Sequence, residues 1–251
     1  MTALAAAALL PAAGPAGAQL PGGVLPADPP LSAPQRIAAA LRDDVLDGRL
    51  LPGSRLREES LCRRFGTGRH TIRAALHLLV VAGLAVHERH RGAAVRPLTR
   101  ERLDETFRFR AVIELGSLRL AQARGADLSP VEDAVAELES LRDGTPWRRL
   151  TEVHGRVHHQ IVVASGNDRL LEAYRGCEDE LQLLFAVIQP DFSATRLARL
   201  HRDLVDRLQL GGDTAVQALS DDLELSGRAA VLHAMERRDL AGAGPTRSAL
   251  G

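Results

Sequence analysis

From Gln35 onward, apolar positions recur with helical spacing: Ile37, Leu41, Val45 and Leu46 share a face, Arg36, Arg42, Asp43 and Asp47 lie off it, and Gly48 stops the pattern. A turn at Pro52-Gly53 with a short extended piece follows, and then Glu58 to Phe65 fits a two-turn helix closed by Gly66. Between Arg69 and Ala82, residues Ile72, Ala75, Leu76, Leu79 and Val80 obey the i, i+3, i+4, i+7, i+8 rule, with Gly83 as the stop. Two short helices joined by a tight glycine-containing turn make a helix-turn-helix. Leu84 to Arg89 and Ala93 to Arg96 read as two short strands around His90-Arg91-Gly92, the shape of a wing. Beyond Pro97 the strand signal is gone. Six helical stretches follow, near 99–124, 129–143, 147–165, 168–189, 193–210 and 213–238, and their short connections force neighbours to pack antiparallel. The pattern predicts a mainly α chain: a winged helix-turn-helix over 34–98 and an all-α bundle over 99–240, between an Ala/Pro/Gly tail at 1–33 and a second flexible tail at 241–251.

Composition narrows the classes. At 251 residues and 45% apolar content the chain can fill two cores. No run approaches the roughly 20 uncharged apolar residues of a bilayer crossing, so no membrane partner is expected. Cys62 and Cys177 are far apart without a C-x-x-C, which excludes a disulfide framework or a cysteine-built zinc knuckle and favours a reducing cytoplasm. Scattered prolines make residues 1–33 an expected mobile tail. A secretory signal competes for the apolar run Ala3 to Ala13 but lacks its basic n-region, and a start codon placed too far upstream is a further alternative. The formal net charge of zero hides an asymmetry, because residues 35–98 hold twelve Arg against six acids, whereas 99–251 are net −5. One half is suited to a polyanion. All basic residues are Arg, which reads as coding bias.

On the helix from Arg69, the side opposite the apolar stripe carries Arg69, His70, Arg73 and His77, so donors crowd the end that a recognition helix inserts into the major groove. Arginine binds O6 and N7 of guanine bidentately, while first-turn N–H groups and the hydroxyls of Thr67 or Thr71 suit phosphates. A merely solvated face is the bland alternative. The basic wing residues Arg89, His90 and Arg91 and the local charge argue against it. In the bundle, His154 and His158 fall inside the stripe of Leu150, Val157, Ile161 and Val162. His201 shares a face with Leu204, Val205 and Leu208, and Asp222 with Ala215, Ala218 and Leu219. Four polar residues on three apolar faces must satisfy one another or share an ion. A hydrogen-bonded core histidine pair remains an open reading of the i, i+4 spacing. His159 and Asp221 lie one residue off these faces and are expected to be solvated or to support the others.

The run IAAALRDDVLDGRLLPGSRLREESLCRRFGTGRHTIRAALHLLVVAGLAVHERHRGAAV resembles the winged helix-turn-helix of the GntR family of bacterial transcriptional regulators. The resemblance implies that Arg69 and Arg73 contact operator bases or phosphates, that the wing tip His90, Arg91 and Gly92 reaches the adjacent groove, and that Arg57, Thr67, His70 and Thr71 join the DNA-contacting set. Gly68 and Thr67 depart from the family's usual Ser and Val, at modest cost to the cap. The segments FRAVIELGSLRLA, VHHQIVVASGNDRLL, LHRDLVDRLQLGGD and AVQALSDDLELS resemble the FCD ligand-binding domain of the FadR subfamily over roughly 99–240. Metal-binding members use one Asp and three His. The matching positions here are His154, His158, His201 and Asp222, with the first and last ligand types exchanged and Glu224 competing with Asp222 for the last. Three imidazoles and one carboxylate suit Zn²⁺ or Ni²⁺. Arg110, in an R-x-x-x-E segment with Glu114, matches an arginine lining the family's effector cavity and would favour a carboxylate, an ordinary helix-surface pair being the alternative. The implied protein is a cytoplasmic repressor that binds a palindromic double-stranded operator as a homodimer under control of a small organic acid. It is not an enzyme. A metal-dependent hydrolase and a constitutive DNA-binding protein with a purely dimerising bundle are the rival readings.

Overall fold

A computed structural model describes residues 31–88, 92–186 and 193–242, with side chains as far as residue 237. The expected tails, apart from their inner ends, and Arg89, His90 and Arg91 of the wing lie outside the described residues. Helix α1 (Ala33–Leu46) begins just ahead of the expected boundary because Ser32 caps it, its backbone N–H donating to Gln35 Oε1 at 2.8 Å in a capping box. Strand β1 (Arg55–Leu56), α2 (Glu58–Phe65), α3 (Arg69–Val81), β2 (Ala85–Glu88) and β3 (Gly92–Val95) follow. The three strands form one antiparallel sheet in the order β1-β3-β2, with Arg55 opposite Ala94 and Ala85 opposite Val95. Leu41, Ile72, Leu76, Leu79, Leu84 and Val95 fill the core between helices and sheet, as the apolar spacing predicts.

The turn after α3 shows why its glycine is needed. Gly83 has φ +76°, and a Cβ there would lie 3.0 Å from Glu180 Oε2 and 3.1 Å from Glu180 Cβ. A left-handed backbone costs an L-residue about 1–2 kcal/mol before any crowding is counted. Gly83→Ala is therefore expected to lower unfolding stability by about 2 kcal/mol, read from the midpoint of a urea titration.

The second half is all helix: α4 (Arg100–Ala123), α5 (Ser129–Ser140), α6 (Trp147–Ala164), α7 (Asp168–Phe185), α8 (Ala194–Gln209), α9 (Gly212–Asp221) and α10 (Ala229–Gly242). The side chains of Thr99, Asn167 and Ser193 cap α4, α7 and α8 by accepting first-turn N–H bonds. One element departs from the expected pattern. The single helix anticipated over 213–238 is interrupted by a π-helical turn, Asp222–Arg228. Gly227 permits it against α4, since a Cβ there would meet Phe107 Cε1 at 3.0 Å. Leu118, Val135, Leu138, Val153, Val157 and Ile161 are among the buried residues of the bundle core.

From Ser32 onward both halves pack as one unit. Helix α7 is the shared element: Leu183 enters the core of the winged half, Asp179 pairs with Arg42 of α1 at 2.6 Å, and Glu180 packs against Gly83. Arg148 of α6 adds a second tie to α1 through Asp43 at 2.6 Å.

Candidate metal centre and nucleic-acid interface

Helix α4 places two opposite charges in the bundle interior. Its buried stripe runs through Arg110, Glu114, Ser117 and Ala121, so a charged pair sits where apolar residues are the rule. The Arg110–Glu114 pair forms with Nε–Oε1 at 2.5 Å, but side-chain exposures of 2% and 0% remove it from the surface, against the alternative of a solvated helix pair. Glu114 turns its other oxygen to His158, whose Nδ1–H donates to Oε2 at 2.9 Å. Burial alone would push the Glu114 carboxyl up, yet Arg110 and His158 overcome it and hold the pKa at about 2. The group is an anion at any working pH, and the same attraction raises the pKa of Arg110 against its own burial.

An ionised carboxylate only accepts, so Nδ1 of His158 carries a proton, and in the neutral ring Nε2 is the atom left to bind a metal. His201 is set the same way: its Nδ1–H donates to the Leu197 carbonyl at 2.9 Å, leaving Nε2 bare. The two Nε2 atoms face each other at 3.3 Å. His154 completes the group, its ring centroid 4.6 Å from that of His201 and 4.9 Å from that of His158, and all three offer a ligand nitrogen within 4.8 Å of the others. Asp222 Oδ2 lies 3.6 Å from His158 Nε2. Glu224, the competing candidate, is exposed and pairs with Arg228 at 3.9 Å. The three expected histidines thus converge from α6 and α8, and Asp222 of the π-helical turn approaches the group through His158 without joining the 4.8 Å cluster. Burial depresses the pKa of His154 well below its ordinary value and that of His201 as well, so protons are poor counter-charges here. His159 and Asp221 stand aside, pairing with Glu178 at 2.7 Å and Arg207 at 3.3 Å.

The arrangement fits a cation. Two nitrogens at roughly 2.0–2.1 Å from a tetrahedral ion are about 3.3–3.4 Å apart, the spacing His158 and His201 already have. A void of about 30 Å³ bordered by His154, His201 and Asp222 has room for one. A larger cavity of about 440 Å³ opens beside it, bordered by Arg110, His154, His158, Tyr174 and Phe185. The part of Glu114 in orienting His158 was missed in the sequence. Its legible signal was a carboxylate on the same apolar stripe as Arg110.

At the other end, Arg57, Arg69, His70 and Arg73 are exposed and Thr67 and Thr71 half-buried, so α3 presents its polar face outward. Gly68 caps α3 without a side-chain bond, as its lack of a hydroxyl requires. Gly92 opens β3 in the left-handed region at φ +81°. Arg73 is not idle: its Nε donates to Glu58 of α2 at 2.9 Å.

Comparison with known proteins decides the family. The profile described as "Bacterial regulatory proteins, gntR family" matches residues 33–95, and the FCD domain profile matches 105–224. The chain belongs to the GntR family. This GntR protein is 27% identical over 180 residues to the Probable D-xylose utilization operon transcriptional repressor of Paenarthrobacter nicotinovorans, covering 70% of this chain and 80% of that one. It is 32% identical over 144 residues to the transcriptional repressor GlaR of Escherichia coli (strain K12), covering 53% of this chain and 63% of the other. A GntR regulator structure from Rhodococcus sp. RHA1 superposes with a TM-score of 0.64 at 27% identity, over 80% of this chain and 97% of that one. The GntR protein is accordingly a DNA-binding transcriptional regulator with an FCD effector domain, and not an enzyme. No helix among its described residues is long and apolar enough to cross a membrane.

Proposed function

We propose that this regulator is a cytoplasmic repressor that binds a palindromic operator as a homodimer and answers to a small carboxylate bound beside a divalent ion. The ion would be held by His154, His158, His201 and Asp222. The observation that carries the reading is the pair of Nε2 atoms 3.3 Å apart, each ring fixed by a hydrogen bond on its other nitrogen. With both rings neutral, the two Nε2 lone pairs converge on one point, where a shared cation stabilises them. The buried carboxylate behind His158 makes that imidazole a stronger donor, and the donor set suits Zn²⁺ or Ni²⁺.

When bound, the ion supplies a positive charge that an effector carboxylate can ligate. Arg110 borders the same cavity and Phe107 and Phe185 flank its guanidinium, with Arg110 Cζ 5.6 Å and 5.7 Å from the ring centroids. Two relatives named as repressors support the sign of regulation. For the dimer, α4 exposes Phe109, Val112 and Leu120 in one stripe with Gly116, an apolar face suited to a second copy. Arg57, Thr67, Arg69, His70, Thr71, Arg73 and Gly92, with His90 and Arg91, form the proposed DNA-contacting set. Linkage requires an effector that weakens operator binding to be weakened by the operator in the same ratio.

Elemental analysis of the purified protein tests the metal. About one divalent ion per chain is expected, removable by chelator and lost in His158→Ala. A folded protein that takes up neither Zn²⁺ nor Ni²⁺ on dialysis contradicts the site.

A further inference from the structure

We infer that Arg42, a residue of the DNA-reading half, is an anion-binding residue of the effector cavity, and that Asp179 occupies it until a second anionic group on the effector displaces it. The inference rests on the effector reading above and names the ligand class: acids carrying two anionic groups. Arg42 belongs to α1, yet it borders the same 440 Å³ cavity as His154, His158 and Arg110. Both its Nε at 2.7 Å and its terminal nitrogen at 2.6 Å are directed at one oxygen of Asp179, with Gln182 Oε1 a distant third partner at 3.5 Å. A fork of two donors served by one oxygen is a half-used guanidinium. A ligand carboxylate offering two oxygens in the plane is the better partner.

The surrounding charges point the same way. The other carboxylates bordering the cavity are engaged elsewhere, Glu178 with His159 at 2.7 Å and Glu152 with Arg148 at 3.1 Å. Arg156 also borders it; its terminal nitrogen pairs with Glu137, while its Nε is a buried donor with no hydrogen-bond partner among the described residues. One end of an acid would meet the proposed ion and Arg110, and the other would meet Arg42 and Arg156. Capture of Arg42 trades the direct tie between α1 and α7 for one through the ligand. Asp179, about one-fifth exposed, is then left to water. That exchange is a differential contact of the kind that allows a small molecule to shift one arrangement of the DNA-reading half toward another.

The test uses the full-length, metal-loaded protein. Trp147, the sole tryptophan, donates from Nε1 to the Phe185 carbonyl at 3.2 Å beside the ligand cavity, so its fluorescence reports occupancy, with calorimetry alongside. The probes are the straight-chain dicarboxylates from malonate to adipate and the monocarboxylates of equal chain length. The expected result is at least one diacid that binds about 10-fold tighter than its monoacid, with that preference lost in Arg42→Gln while monoacid affinity stays put. Asp179→Asn, which weakens the resident competitor, is expected to tighten the diacid several-fold. A diacid preference that survives in Arg42→Gln overturns the inference, as does equal binding of diacids and monoacids to the unmodified protein. If Arg42→Gln does not fold, Asp179→Asn decides: unchanged or weaker diacid binding overturns it. Failure of every acid to bind the unmodified protein overturns the effector reading itself.

Discussion

Glu114→Gln is expected to destabilise the protein by about 3 kcal/mol and to weaken metal binding by about 10- to 100-fold, because one buried carboxylate both neutralises Arg110 and orients the imidazole of His158. The substitution keeps the shape and can still accept from His158 Nδ1, but it removes the charge facing Arg110, which is only 1% exposed. Removing one partner of a buried pair strands the other. Equilibrium unfolding measures the first effect and a competitive chelator titration near pH 7 the second. A pH series separates the charge from the shape. Glu114 titrates at about 2 in the folded chain against 4.5 as its ordinary value, so its stabilisation is complete above about 4.5 and disappears as the pH falls toward 2. The Gln variant should lack that acid-side loss. The depressed histidines His154 and His201 act in a higher window. Below their ordinary 6.5 the unfolded chain takes protons that the folded one refuses, so metal-free protein should weaken from about that pH downward in both forms. Unchanged stability and metal affinity in Glu114→Gln would remove the carboxylate from the site.

Arg69→Ala combined with Arg73→Ala should lower operator affinity by about 10²-fold or more, since each base or phosphate contact of this kind contributes about 1–3 kcal/mol. The two residues are not equivalent. Arg69 is exposed at the first position of α3, whereas Arg73 is held by Glu58, which raises its pKa and must release it before it can reach DNA. Glu58→Gln is therefore expected to raise affinity, a direction opposite to that of the arginine variants. Binding isotherms on the native promoter fragment at several salt concentrations read both, and the slope against salt should flatten as charges are removed. Retained affinity and slope in the double variant would place the DNA contacts elsewhere on the chain.

The winged half was nearly all legible beforehand, because its information is local. The spacing of Leu41, Ile72, Leu76 and Leu79 and the stops at Gly66 and Gly83 suffice for helices that pack against their own sequence neighbours. The bundle helices were placed to within a few residues for the same reason. The exception is the last one, where the π-helical turn at Asp222–Arg228 depends on how closely Phe107 of α4 approaches Gly227. Nothing in the 222–228 segment itself announces that contact.

For the site, periodicity could say that His154, His158, His201 and Asp222 face inward, since a side chain's direction on a helix follows from its position along the chain. Where inward faces meet is a matter of packing between distant segments. That Glu114 stands behind His158, that two Nε2 atoms come to face each other, and that Arg110 is enclosed rather than solvated were all decided when α4, α6 and α8 closed on one another. The same holds for Arg42, which periodicity could place only on the polar side of α1. The docking of that helix on α7 turned a solvent-facing arginine into part of the cavity wall.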